Sequence, residues 1–246
     1  MIEVLEEGAR TALPVIAACA SAGIIVGVVV QTGLGGRIAN GIIVLGGGIL
    51  LLTLFFTMIA CLILGMGLPT TANYIVTASL AAPALILGFD VPVLAAHMFV
   101  FYFGIVADIT PPVALAAYAG AGLARANPFK TAVTATMLAV AAYIIPYMFV
   151  LNPQLILINV EVPFLLFSIV TAVIGMVGVS TAMVGFLIRK AYVWERLILF
   201  AAGLLLISPD ILLGVAGFAA ILAILFIQSR RPKDEHQTPH PPAVSM

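Results

Sequence analysis

No Asp, Glu, Lys or Arg occurs between residues 38 and 89, and residues 131–160 and 162–188 are equally free of charge. About 20 apolar residues suffice for one helix to cross a bilayer, and a soluble domain has no means of burying several such runs. The runs are continuous and do not alternate between apolar and polar residues, which favours helices over a barrel. The sequence therefore predicts an all-α polytopic membrane protein.

Composition supports this prediction and limits the kinds of partner that the chain is expected to bind. Of the 246 residues, 63% are hydrophobic and 8% are charged, and the mean hydropathy is +1.26. The formal net charge is zero, so we expect the lipid bilayer and not nucleic acid as a partner. Cys19 and Cys61 lie in apolar segments without metal-ligand spacing, and we expect small buried side chains rather than a metal or redox site.

Changes in composition divide the chain into five parts. Residues 1–10 are acidic, unlike the basic start of a signal peptide, and form a lead-in segment. The predicted parts are this lead-in (1–10), an apolar domain with helix breaks (11–150), a linker (151–162), C-terminal transmembrane helices (163–228) and a polar, disordered tail (229–246). Within residues 11–150 we expect apolar segments at 11–30, at 42–64 after Gly46-Gly47-Gly48, at a third piece ending near 87, and at 129–150.

The first helix break inside the apolar sequence is Gly65-Met66-Gly67-Leu68-Pro69-Thr70-Thr71. Two glycines and a proline within five residues favour an unwound segment between two half-helices, which makes residues 42–87 a broken helix. A packing kink is the alternative, because Gly and Pro are common in membrane helices.

The second break is Asp108-Ile109-Thr110-Pro111-Pro112. Consecutive prolines remove two amide donors and disfavour helix in the residue before each of them. The flanking helices are each about 12 to 17 residues long, which reaches only the middle of a hydrocarbon layer about 30 Å thick. The sequence therefore predicts a re-entrant helical hairpin over residues 91–124.

We expect the two breaks to lie against each other, with Cα atoms within roughly 10 Å, because unpaired backbone groups inside a membrane must find partners. The predicted ion and substrate site consists of Gly65, Gly67, Pro69, Thr70, Thr71, Asn73, Asp108, Thr110, Pro111 and Pro112. Carbonyl and hydroxyl oxygens suit an alkali cation, so we expect a sodium ion at Gly65, Gly67, Thr70 and Thr110. No catalytic residue and no cofactor other than this sodium ion is expected. His97 is interpreted as a structural histidine rather than a proton relay.

The C-terminal helices leave two topologies open. Residues 197–207 and 211–227 flank residues 208–210 and form either one kinked helix or a hairpin of two. In a hairpin, the basic connector 189–196 and the basic tail share one side with residues 125–130, and the positive-inside rule makes that side cytoplasmic. A single span reverses the side of everything upstream.

Three strings carry a resemblance to a known family: GMGLPTTANYIVTASLAAPAL (65–85), AAHMFVFYFGIVADITPPVALAAYAGAGLA (95–124) and IIPYMFVLNPQLIL (144–157). They strongly resemble the permease subunit of tripartite ATP-independent periplasmic (TRAP) transporters. The likeness is greatest to the fused type that works with TAXI-class solute receptors. The resemblance covers about residues 6–157 well and the last spans more loosely.

The resemblance implies a multi-pass secondary transporter of the bacterial inner membrane that imports an organic anion, often a carboxylate, driven by a sodium gradient. A periplasmic solute-binding protein delivers the solute, and an elevator-like domain carries it across. It also implies that residues 108–113 and 65–71 together clasp one sodium ion and one side of the substrate. The implied hairpin opens toward the periplasm, which favours the single-span alternative at the C-terminus.

Permeases of this family contain two inverted repeats, each with a hairpin and a broken helix, and the fused type adds a small four-helix domain. This sequence contains one such set, and the resemblance implies that residues 11–150 form one transport-type repeat. We therefore expect the C-terminal portion of a permease, as a truncated reading frame, a split subunit or a fragment. Its expected partners are the remaining permease half and the small membrane subunit or domain.

Two other function classes compete with transport. An intramembrane aspartyl peptidase would use Asp108 and Asp210, which would need to lie at one depth and share a proton. No supporting motif accompanies either residue. The other alternative is a membrane-anchoring protein or a non-transporting remnant.

Overall fold

The computed structural model describes residues 2–208 and 210–230, so most of the predicted disordered tail lies outside the described residues. The described chain forms these α-helices: α1 (Ile2–Thr32), α2 (Leu34–Leu45), α3 (Leu50–Gly65), α4 (Thr70–Leu80), α5 (Ala82–Phe89), α6 (Val93–Val106), α7 (Leu115–Leu123), α8 (Pro128–Leu138), α9 (Val140–Leu151), α10 (Val162–Val184), α11 (Val193–Ile207) and α12 (Ile211–Ser229). Short 3₁₀ turns lie at Ala107–Ile109 and Pro153–Ile156.

Several of these helices are long and apolar enough to cross a membrane. They are Val4–Thr32, Thr70–Phe89, Val162–Val184 and Leu212–Ser229, and the pair α8–α9, bent by 41°, makes a fifth. The predicted all-α polytopic fold class is confirmed.

Glycines in the left-handed region set the first helix boundaries. Gly33 has φ 64° and separates α1 from α2. Gly47 and Gly48 also have positive φ and turn the chain between α2 and α3. The predicted apolar segment 42–64 is therefore divided: its first residues belong to α2, and the glycines form a turn instead of opening one helix.

The broken-helix interpretation of residues 42–87 needs correction. Helix α3 ends at Gly65 and α4 begins at Thr70, as expected, but the helices on either side do not continue along one axis. Helix α3 contacts both α4 and α5, and Ala84 of α5 shares an apolar cluster with Phe56 and Ala60 of α3, so the chain doubles back and α4–α5 runs beside α3. Thr70–Phe89 is long enough to cross the membrane alone, and residues 66–69 form a turn between two neighbouring helices.

The helix containing residue 93 ends at Val106, and the next begins at Leu115, with the double proline in the gap. A re-entrant hairpin over 91–124 requires two arms that pack along each other, and α6 and α7 do not. Helix α6 packs along α9 through aromatic side chains, and α7 packs along α8 through small ones. The predicted break at the double proline is present. The two helices that flank it pack against the bent pair α8–α9 and not against each other.

Helices α10, α11 and α12 form an antiparallel bundle at the C-terminal end. Small residues allow close approach: a Cβ added to Gly203 would lie 2.7 Å from the Gly175 carbonyl oxygen, and one added to Gly217 would lie 2.7 Å from the Ala202 carbonyl oxygen. Because Gly217 faces Ala202, α12 runs back along α11. The terminal segments are two helices, so the single-span alternative, favoured by the family resemblance, is wrong.

Helices α3 and α6 run side by side and end together. They contain 16 and 14 residues. Their lengths of about 24 and 21 Å fall short of a hydrocarbon layer about 30 Å thick. Both breaks therefore lie at a similar depth within the apolar part of the chain, where unpaired backbone groups need partners.

Candidate functional site

The side-chain amide of Asn73 joins the two breaks. It lies in the first turn of α4, is 1% exposed, and donates from Nδ2 to two carbonyl oxygens, Gly65 at 3.3 Å and Gly104 at 2.6 Å. Gly65 ends α3 and Gly104 lies in the last turn of α6. One side chain therefore holds the ends of three helices.

Two glycines make this junction possible. A Cβ added to Gly65 would lie 2.7 Å from Asn73 Nδ2 and 3.1 Å from the Ala107 Cβ. A Cβ added to Gly104 would lie 2.8 Å from Asn73 Oδ1. Real Cβ atoms do not approach other atoms this closely, so the amide fits here only because residues 65 and 104 are glycines. Cα atoms of α3 and of the turn Ala107–Ile109 come within 8 Å of each other, which confirms that the two breaks lie against each other.

Asn73 also carries an acceptor without a donor. Within the described residues, its Oδ1 is the buried side-chain oxygen that has no hydrogen-bond partner. The reverse amide orientation would turn Oδ1 toward the two carbonyl oxygens, so the donor contacts fix its direction. A buried amide oxygen usually has a partner, and a cation or a water molecule can supply one.

The second break frees carbonyl groups for a reason that is local to the sequence. The carbonyl of Asp108 faces prolines at both the i+3 and the i+4 position, so it has neither a 3₁₀ nor an α-helical donor. The Ala107 carbonyl accepts from the Thr110 N–H at 3.2 Å, and the Thr110 carbonyl accepts from the Ala114 N–H at 3.1 Å. The Asp108 carbonyl is thus the one that the double proline leaves unpaired along the helix.

Hydroxyl groups fix the second break onto its surroundings. Thr110 Oγ1 donates to the Val106 carbonyl at 2.6 Å and is hydrogen-bonded to the Tyr143 hydroxyl. Thr136 Oγ1 donates to the Ile109 carbonyl at 3.0 Å. Thr136 and Tyr143 lie on either side of the bend between α8 and α9. The bent pair therefore supports the segment containing the double proline.

The other predicted site residues lie on an open face of the junction. Gly67, Pro69, Thr70 and Thr71 are exposed, and Gly67 has φ 79°, which explains the glycine. Asp108, Thr110 and Pro111 are partly buried, and Pro112 is exposed with its carbonyl accepting from the Tyr118 hydroxyl at 2.6 Å. The structure thus brings Gly65, Asn73 and the start of the tip together and leaves Thr70 and Thr71 at the surface.

Three residues of this arrangement were missed from the sequence: Gly104, Thr136 and Tyr143. Gly104 is the one glycine of an otherwise bulky helix, VLAAHMFVFYFGIV, and this contrast was an available signal. Thr136 and Tyr143 carry no such signal, because their hydroxyls act on residues 27 and 33 positions away.

The geometry gives little support to an aspartyl peptidase or to a proton relay at His97. Asp210 accepts from the Leu212 N–H at 2.8 Å and so caps the N-terminus of α12, on a different helix bundle from Asp108. His97 Nδ1 lies 2.9 Å from the Tyr74 hydroxyl, the partner that a structural histidine needs. Among the described residues, no three His, Cys, Asp or Glu side chains converge as metal ligands.

Comparison with known proteins gives one finding. A family model described as "Tripartite ATP-independent periplasmic transporter, DctM component" matches residues 1–164. Neither the curated proteins nor the solved structures give a match.

Proposed function

Because the chain belongs to the DctM component family of tripartite ATP-independent periplasmic transporters, we propose that it couples sodium entry to the import of an organic anion. The solute is a carboxylate delivered by a periplasmic solute-binding protein, and the chain works in the bacterial inner membrane. The family is one of transporters, so the proposal includes no catalytic role.

The observation that carries the proposal is the junction at Asn73. A buried amide oxygen without a donor lies where two helix breaks meet, and one break has a carbonyl that its prolines leave unpaired. Oxygen atoms of this kind, fixed by discontinuous helices, are what sodium-coupled transporters use as ion ligands. The sodium ion would bind at this junction, with ligands among Gly65, Gly67, Thr70, Thr110 and the amide of Asn73.

The exposed part of the junction supports a role for partners. Thr70, Thr71 and the unwound backbone before them are polar and exposed, although the helix they begin is apolar. Polar backbone within a membrane is tolerated only where protein or a water-filled cavity satisfies it. The remaining permease half, facing these residues, would close the solute site, and the small membrane subunit or domain would support it.

Sodium titrations of solute uptake test the proposal in proteoliposomes that contain the reassembled permease and its solute-binding protein. Thr110→Val removes one candidate ligand oxygen and also its hydrogen bonds to the Tyr143 hydroxyl and the Val106 carbonyl. Tyr143→Phe removes the hydrogen bond between the two hydroxyls alone and is the matched control. One lost charge-assisted contact is worth about 1.5 to 3 kcal/mol, so Thr110→Val should raise the half-saturating sodium concentration roughly ten- to hundredfold.

Equal sodium dependence in both variants would remove Thr110 from the ion site. Uptake that is independent of sodium in the unaltered protein would refute the coupling itself. Absence of any solute uptake, with the fold intact, would favour the membrane-anchoring alternative.

A further inference from the structure

The connector between α10 and α11 carries a cationic group above an apolar groove. Arg196, one turn into α11, donates from Nε to the Ala182 carbonyl at 2.6 Å and from Nη2 to the Met183 carbonyl at 3.0 Å. Both carbonyls belong to the last turn of α10. A guanidinium has five N–H donors, so three remain for an acceptor outside the chain.

The groove below Arg196 has a volume of about 320 Å³. Its lining consists of Ala182, Met183, Val193, Arg196, Leu197 and Phe200. Val193, Leu197 and Phe200 follow helical spacing and are 73%, 66% and 38% exposed, so they form an apolar stripe open to the surroundings. Arg196 is the charged member of this lining.

The side chains around the connector place this end of the groove at the membrane surface. Trp194, the single tryptophan of the chain, is 46% exposed, and Tyr192 is 59% exposed. Tryptophan and tyrosine concentrate at membrane–water interfaces. Lys190 is exposed in the same connector, and the N–H of the next residue, Ala191, donates to the Gly185 carbonyl at 2.8 Å. Gly185 in turn lies beside the Arg196 guanidinium.

The carboxylate of this region turns away from the groove. Glu195 is fully buried and accepts from the Tyr192 N–H at 2.9 Å and from Gln228 Nε2 at 3.2 Å. The groove therefore presents positive charge at its interfacial end and apolar surface along its length. This is the charge and polarity pattern of a phospholipid with an anionic headgroup.

We propose that the groove between α10 and α11 binds one anionic phospholipid, with its phosphate at Arg196 and Lys190 and an acyl chain along Val193, Leu197 and Phe200. The site is separate from the junction at Asn73 and does not depend on the proposed transport function. Bound there, the lipid would tie the connector to the bilayer surface.

Trp194 provides a direct probe, because it is the only tryptophan and lies between Val193 and Arg196. The full chain is placed in nanodiscs that contain phosphatidylglycerol or phosphatidylcholine with brominated acyl chains, which quench tryptophan fluorescence. At equal mole fractions, brominated phosphatidylglycerol should quench more strongly. Removing one cationic group should lower the lipid association constant about fivefold, which corresponds to about 1 kcal/mol.

Lys190→Gln and Arg196→Gln should both reduce the preference for phosphatidylglycerol, and Arg196→Lys should keep part of it. Lys130→Gln is the matched control, since it removes an exposed lysine from the start of α8. Because Arg196 also caps α10, Lys190→Gln keeps the test valid if Arg196→Gln fails to fold. Equal quenching by the two lipids in the unaltered protein overturns the proposal, as does an unchanged preference in Lys190→Gln.

Discussion

Replacing Gly104 by Ala tests the junction most directly. The new methyl group would lie 2.8 Å from Asn73 Oδ1 and 3.2 Å from its Cγ and Nδ2, so the amide must move. Overpacking of this kind destabilises by about 1 to 3 kcal/mol. A displaced amide also withdraws its N–H donors from the Gly65 and Gly104 carbonyls, and a buried group that loses its partner costs about 1 to 3 kcal/mol. Alanine stabilises the helix by about 0.5 to 1 kcal/mol relative to glycine, so we expect a net loss of about 1 to 5 kcal/mol.

The assay is unfolding of the purified chain in mixed micelles, followed by circular dichroism. Gly120→Ala is the matched control: it makes the same change within α7, where a Cβ would have no atom within 4 Å. It should be neutral or slightly stabilising. In an Asn73→Ala background the amide is absent, and Gly104→Ala should then cost far less, giving a coupling energy in a double-mutant cycle. A Gly104→Ala penalty equal to that of Gly120→Ala, or unchanged without Asn73, would refute the steric explanation.

Three further predictions concern other parts of the chain. Pro111→Ala supplies an N–H that can pair with the Asp108 carbonyl and withdraw it from the sodium ion. The half-saturating sodium concentration for uptake should therefore rise roughly ten- to hundredfold. An unchanged value would show that this carbonyl is not a ligand. Gln228→Leu deprives the buried Glu195 of an amide donor and should destabilise the C-terminal bundle by about 1 to 3 kcal/mol in the same unfolding assay, whereas unaltered stability would mean that other partners suffice. A cysteine introduced at Lys190 should react with an impermeant maleimide from the cytoplasmic side only, as the positive-inside rule requires, and labelling from the opposite side would reverse the topology.

The helix breaks were predictable because their causes are local. Glycine and proline act on their own backbone and on residues within one turn, so the ends at Gly65 and Val106 follow from the sequence. The course of the helices after each break was not predictable in the same way. It depends on contacts between distant side chains, such as Phe99 with Tyr147, whose ring centroids lie 5.2 Å apart.

The same distinction applies to the candidate site. Asn73 was recognised as a polar residue beside a break, but its two carbonyl partners lie 8 and 31 positions away. The contribution of Gly104 is the absence of a side chain, which only the approach of Asn73 makes necessary. At the C-terminus, the glycines at 175, 203 and 217 lie at close helix contacts, and the sequence analysis did not use them.

The orientation of the Asn73 amide also bears on the chemical ageing of the protein. Both protons on Nδ2 are directed to backbone carbonyls, at 3.3 and 2.6 Å. Deamidation to aspartate would exchange this nitrogen for oxygen and place a negative charge against two carbonyl oxygens, with no proton between them. The side chain would keep its size and shape, yet attraction at the meeting point of α3, α4 and α6 would become repulsion. The exchange of one heavy atom at this residue, without a change of volume, would therefore weaken the contact that joins three helices.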